Sequence, residues 1–166
     1  MGKHPYNLDY IDLKKENSGS VCLVGAGPIA TEYIKVLSAL GKNVYVVCRT
    51  KNSSDRFLKC TGFKPIYGGL EENLKNIGNP SYAIVAVNVE NLADCTNVLI
   101  TAGIKNILVE KPGSFDINQI NKVYSNAGKH NASVYVAYNR RFYASVQKAI
   151  NLINEDGGVN SFHFEF

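Results

Sequence analysis

The sequence predicts an α/β protein built on a doubly wound parallel sheet. Three observations carry that reading. Short apolar runs alternate with one-faced helical patterns along nearly the whole chain. The runs are continuously apolar rather than alternating, as strands buried on both faces of a parallel sheet must be. The first run also stops at a glycine and passes straight into a helical pattern, so its order is strand, tight turn, helix.

That joint is Val21-Cys22-Leu23-Val24-Gly25-Ala26-Gly27-Pro28-Ile29-Ala30, which contains a G-x-G-x-x-A. Gly25 allows the sharp turn off the strand. Gly27 lacks a Cβ, so a pyrophosphate can approach the backbone, and Ala30 is small enough for close helix–strand packing. The N–H groups and dipole of the new helix then face phosphate. The motif alone is a weak signal, but these flanks are the context it requires. The bland alternative is a tight turn that binds nothing. The expected dinucleotide contacts here are Gly25, Gly27, Pro28, Ile29 and Ala30.

The elements follow in order. Residues 1–19 read as an extension with scattered apolar positions, and Ser18-Gly19-Ser20 reads as a linker. Thr31–Leu40 carries a helical stripe of Tyr33, Ile34, Val36, Leu37 and Leu40, and stops at Gly41. Val44–Cys48 is a buried strand. Ser54–Cys60 reads as a short helix, and Gly62–Tyr67 as a short strand that Pro65 places at a sheet edge. Gly69–Ile77 reads as helix, Tyr82–Val87 as strand, Asn91–Ala102 as helix and Asn106–Val109 as strand. Asp116 caps a helix to about Lys129, Val134–Tyr138 is a strand, and Phe142–Asn154 a final helix. Val159–Phe166 alternates, with Phe162, Phe164 and Phe166 on one face, and predicts an amphipathic strand. Three aromatic rings on one face must pack on something. That strand is expected either to open a further domain or to pair with a second copy of the chain as a homo-oligomer.

Totals bound the function. The 166 residues suit one domain, and a hydrophobic fraction of 45% suits one full core. A net charge of +4, scattered and without a basic run interleaved with aromatics, argues against nucleic acid. No apolar run approaches membrane-spanning length, and the start has neither a signal-peptide core nor a myristoylation pattern. Cys22, Cys48, Cys60 and Cys95 form no C-x-x-C pair and have no His at ligand spacing. They read as buried free thiols in a reducing cytoplasm, with no metal site.

In such sheets ligands bind beyond the carboxyl ends of the strands. After the second strand comes Arg49-Thr50-Lys51, where an NAD-preferring domain carries an acid for the ribose 2′-hydroxyl. No acid lies in this loop, so Arg49, with Thr50 and Lys51 nearby, favours NADP, with NAD as the alternative. The same absence counts against FAD and S-adenosylmethionine, and no P-loop is present. Val87 and Asn88 follow the fourth strand and would pass the pyrophosphate and nicotinamide ribose; Asn88 or Asn91 can equally cap the next helix. Glu110-Lys111-Pro112 follows the fifth strand. From spacing alone it reads as a surface ion pair, although Lys111 could serve a substrate oxygen. Asn139-Arg140-Arg141 after the sixth strand suits an anion or a solvated helix start equally.

Three motifs match in order and spacing: Gly25-x-Gly27-x-x-Ala30, Glu110-Lys111-Pro112 and Tyr138-Asn139-Arg140-Arg141-Phe142. Through them the chain resembles the Gfo/Idh/MocA family of NAD(P)-dependent oxidoreductases over residues 20–166. The resemblance implies a Rossmann-like fold and hydride transfer between nicotinamide and a sugar, inositol or nucleotide-sugar carbon. It places Lys111 beside nicotinamide and substrate as the catalytic residue. Glu110 and the Val87-Asn88 loop would line the cofactor, with Asn139 and Arg140 among the cofactor contacts. The chain departs from the family where many members have Thr-Pro and a nearby His; here stand Val87-Asn88 and Leu92. Members are about twice this long. The resemblance therefore implies an extension over 1–19, a dinucleotide-binding domain over 20–141, and a connecting helix with the first strand of an absent α+β substrate domain over 142–166. The alternatives are a non-catalytic dinucleotide-binding regulatory or scaffold protein, and a short enzyme completed by a partner subunit.

Overall fold

The structure is a computed structural model that describes residues 19–163 and 165. Residues 1–18 of the expected N-terminal extension, and Phe164 and Phe166, lie outside the described residues. The chain divides into a larger unit ending at Ala137 and a smaller one from Tyr138 onwards.

The larger unit runs β1 (Val21–Val24), α1 (Pro28–Ala39), β2 (Val44–Cys48), α2 (Lys51–Thr61), β3 (Ile66–Tyr67), α3 (Leu70–Leu74), β4 (Tyr82–Val85), α4 (Val89–Thr101), β5 (Asn106–Val109), α5 (Ile117–His130) and β6 (Ser133–Val136). The six strands are all parallel in the order β3-β2-β1-β4-β5-β6. This is the doubly wound, Rossmann-like α/β fold. The order reverses at β1, whose residues Val21–Val24 pair with Val44–Val47 on one side and Tyr82–Val85 on the other. A cleft opens at such a switch point because the helices leaving β1 and β4 cover opposite faces.

Period-two alternation splits the core between those faces. Val21, Leu23 and Val46 pack with Ala30, Ile34 and Leu37 of α1 and Phe57 of α2. Cys22, Val24, Val47 and Val85 pack with Leu92, Leu99 and Ile100 of α4 and Val123 of α5. The two-residue β3 lies at the edge of the sheet, where Pro65 was expected to put it. Asp116 caps α5 as expected, accepting from the N–H groups of Asn118 (2.7 Å) and Gln119 (3.0 Å).

Several boundaries differ from the sequence reading, mostly by a first turn. α1 begins at Pro28 rather than Thr31, since proline lacks the N–H that an N-terminal position leaves unpaired. α2 begins at Lys51, where Thr50 caps it by accepting from Ser53 N–H at 3.2 Å. α4 begins at Val89, and β4 and β6 end earlier, at Val85 and Val136. In the smaller unit a 3₁₀ turn over Asn139–Phe142 precedes α6 (Ala144–Glu155). The strand expected over Val159–Phe166 is not formed at residues 159–163 or 165. A strand needs a hydrogen-bonding neighbour, and period-two alternation does not supply one. The expected homo-oligomeric pairing thus has no strand to rest on among the described residues.

All four cysteines are free, and Cys60, contrary to expectation, is exposed. Burial in β1 pushes the Cys22 thiol up to about 12. Only thiolate reacts, so at mildly alkaline pH iodoacetamide should modify Cys60 first and spare Cys22 until the chain unfolds. Mass-spectrometric labelling of both at one rate would contradict the central position of β1.

Candidate functional site

A cavity of about 390 Å³ opens along the carboxyl ends of β1, β2 and β4. Its floor is the β1–α1 turn. Gly25 adopts a φ of 120°, open only to glycine at low cost, and donates its N–H to Val47 O at 2.8 Å. A Cβ on Gly25 would lie 2.2 Å from the Ala86 carbonyl oxygen, so the turn fits tightly against the end of β4. Gly27 differs. Its φ of −93° suits any residue, and a Cβ there would meet nothing within 4 Å. Neither backbone nor packing requires glycine at this position, which leaves free approach from the cavity as its physical use. Ala30 is fully buried, whereas Ile29 is exposed. The first N–H groups of α1 have no helical acceptors.

At the β2 end Arg49 and Thr50 line the cavity, and so do Ser53 and Arg56 of α2. Lys51, at the first position of α2, is exposed and outside the cavity wall. Arg49 lies close enough to α4 for its charge to favour the Cys95 thiolate, although burial, with the charge of Asp94 in support, holds that thiol above its ordinary value. Among the described residues no carboxylate lines this cavity. The sequence reading names neither Ser53 nor Arg56 as a contact: it starts the helix at Ser54, which leaves Ser53 in the loop and the face that carries Arg56 unassigned. The Thr50-x-x-Ser53 spacing was the available signal, since a cap at Thr50 puts Ser53 and Arg56 one helical turn apart.

Val87, Asn88 and Asn91 line the β4 end. Asn88 occupies the N-cap position of α4, yet its side chain makes no cap bond and its carboxamide remains free for a ligand. Asn91 only returns its N–H to Asn88 O, at 2.9 Å.

One strand further along, the turn after β5 carries Glu110, Lys111 and Pro112, the last two joined by a cis peptide. Glu110 and Lys111 form no ion pair with each other. Instead Tyr33 of α1 donates its hydroxyl to Glu110 Oε1 at 2.7 Å, and the Lys111 N–H donates to Oε2 at 3.3 Å. Burial, then the hydrogen bond and charge of Glu110, push the Tyr33 phenol well above its ordinary value. The Lys111 side chain is exposed and has no partner among the described residues.

Asn139 and Arg140 belong to the smaller unit, both exposed in the 3₁₀ turn. There the Arg141 guanidinium lies 5.0 Å from the Phe142 ring centroid, and Arg141 O accepts from Gln147. Among the described residues no cluster of three metal-ligating side chains occurs, and no helix is long and apolar enough to cross a membrane.

A glycine turn at the switch point, a helix start facing open space and a carboxylate-free wall with two guanidinium groups define a dinucleotide-binding α/β domain. The sequence matches the family model GFO_IDH_MocA, described as oxidoreductase family, NAD-binding Rossmann fold, over residues 20–138, and the chain belongs to that family.

Solved structures with this fold include the WlbA dehydrogenase from Chromobacterium violaceum, in complex with NADH and UDP-GlcNAcA. It is 16% identical with a TM-score of 0.73, and the match covers 86% of this chain and 41% of that one. The scyllo-inositol dehydrogenase from Lactobacillus casei, with NAD(H) and scyllo-inositol, is 15% identical with a TM-score of 0.72, covering 84% and 42%. A 3-ketoreductase variant from Actinomadura kijaniata, with TDP-benzene and NADP, is 19% identical with a TM-score of 0.70, covering 84% and 44%. The match thus spans less than half the length of each of these proteins. No curated protein sequence matches the chain.

Proposed function

We propose that this chain is the cofactor-binding part of an oxidoreductase that prefers NADP and acts on a sugar or nucleotide sugar. One observation carries the cofactor preference: Arg49 and Arg56 line one end of a cavity whose wall holds no carboxylate. A guanidinium forks onto phosphate, whereas a carboxylate there would select the free 2′-hydroxyl. Gly25 and Gly27 of the β1–α1 turn take the pyrophosphate, Thr50 stands beside Arg49 at the 2′-phosphate, and Val87 and Asn88 complete the contacts. Relatives with bound UDP-GlcNAcA or scyllo-inositol support the sugar class. Residues 20–141 form the cofactor domain and 142–166 lead into the substrate half. Four free thiols support a reducing cytoplasm.

When bound, the nicotinamide gives or accepts hydride at C4. The protein's part is to bind, orient and move a proton. Lys111, exposed and without a partner among the described residues, donates a hydrogen bond to the substrate oxygen, favouring the negative charge that develops there during reduction, and can pass it a proton. In the oxidative direction the neutral amine takes that proton back.

The test is a titration of the full chain with NADPH and with NADH, followed by nicotinamide fluorescence. Saturable binding is expected, about tenfold tighter for NADPH, equivalent to about 1.4 kcal/mol. Equal affinities or a preference for NADH would overturn the phosphate assignment. Binding of neither would overturn the cofactor role and favour a scaffold.

A further inference from the structure

The Glu110-Lys111 turn has an unusual arrangement of charge. A carboxylate beside an ammonium would ordinarily pair with it, and the pair would neutralise the lysine. Here both Glu110 oxygens are engaged by neutral donors, Tyr33 Oη at 2.7 Å and the Lys111 backbone N–H at 3.3 Å. The Tyr33 bond spans 77 residues of sequence, so it is tertiary and ties the β5 turn to α1. α1 is the helix that follows directly on Gly25-Ala26-Gly27, the loop that lines the cavity. A single helix therefore starts beside the phosphate site and meets the Glu110 carboxylate at Tyr33, about one and a half turns on.

We propose that Tyr33 is a positioning residue: its hydroxyl holds Glu110 against the β5 turn, keeping the Lys111 ammonium unpaired and fixing both residues at the nicotinamide end of the cofactor. The inference rests on the cofactor reading above. Tyr33 is suited to the task because burial and its carboxylate partner keep the phenol protonated, so it acts only as a donor toward Glu110. Without the hydroxyl, Glu110 Oε1 is free to swing to Lys111, and the turn loses its link to α1.

The experiment uses the full chain as wild type, Tyr33→Phe, Glu110→Gln and the double variant. Each is titrated with NADPH and with 2′-phospho-ADP-ribose, which lacks the nicotinamide. Tyr33→Phe should weaken NADPH about fivefold and shift the bound nicotinamide emission, while leaving 2′-phospho-ADP-ribose within about twofold. The double variant should bind NADPH no more weakly than Glu110→Gln. This non-additivity separates positioning through Glu110 from damage to α1, which would weaken both ligands alike. Unchanged NADPH binding in Tyr33→Phe, equal losses for both ligands, or losses that multiply in the double variant would each overturn the inference. If Glu110→Gln leaves NADPH affinity unchanged, Glu110 is not at the nicotinamide end and the inference fails for that reason. Failure of the wild type to bind either ligand overturns the cofactor reading itself, and the inference falls with it.

Discussion

Gly25→Ala should destabilise the domain by roughly 2–5 kcal/mol and abolish cofactor binding. The new Cβ would sit 2.2 Å from the Ala86 carbonyl oxygen, on a backbone with a φ of 120° that alanine tolerates poorly. Neither conflict can be relieved locally. The obstacle is backbone, and it lies where Gly25 N–H reaches Val47 O and Ala86 N–H reaches Val24 O, both at 2.8 Å. Moving the turn would open one of those bonds in the middle of the sheet. Against a typical stability of about 5–15 kcal/mol, the loss takes a large share. Gly27→Ala is the matched comparison. Its backbone is ordinary and its added methyl meets nothing within 4 Å, so the urea midpoint should hardly move while NADPH affinity collapses. Urea denaturation and fluorescence titration of both variants check the pair. If Gly27→Ala binds normally, the pyrophosphate does not pass over that residue.

Arg49→Asp should invert the cofactor preference. Removing a charge-assisted hydrogen bond to phosphate and setting a carboxylate there should weaken NADPH by about 10- to 100-fold. NADH should gain severalfold, because the new carboxylate can accept from the ribose hydroxyls. Arg56→Ala should cost NADPH less, since its helix start is already fixed by Thr50 and it reaches the cavity from the exposed face of α2. Parallel titrations with both cofactors give the ratio directly. A ratio unmoved by Arg49→Asp would take that residue out of cofactor selection.

The elements that sequence reading locates best are the buried strands. Val21–Val24 and Val44–Cys48 are continuous apolar runs, Asn106–Val109 is apolar after its first residue, and the structure has strands over those same spans. Helix starts are harder, because the apolar stripe begins only after the first turn has left the surface. Pro28 and Lys51 are exposed where they open their helices and Val89 is half-buried, and of the three starts only that of α2 has a side-chain cap, from Thr50. Arg49 was visible at its strand end, whereas Arg56, inside the expected helix, reaches the cavity only through a helix face that local reading did not assign. The Tyr33–Glu110 bond was beyond local reading altogether: the helical stripe explains Tyr33 as packing, and nothing short-range connects it to Glu110. Residues 159–163 show the opposite failure, part of a clear local period that forms no strand among the described residues.

The position of β1 between β2 and β4 also shapes how this chain finds its fold. The β1–β2 seam closes a loop of about 20 residues, from Val21 to Val44, whereas the β1–β4 seam closes about 60, from Val21 to Tyr82. Loop-closure entropy makes the second seam dearer by about 1 kcal/mol before any contact repays it. Contacts so distant in sequence slow folding and prolong the life of half-assembled chains with open strand edges. The cavity straddles this slow seam, so a nucleotide can grip only chains in which the two halves of the sheet have already met. Its presence during synthesis would therefore act as mass action on assembly, raising the yield of intact molecules without touching the rate at which the halves collide.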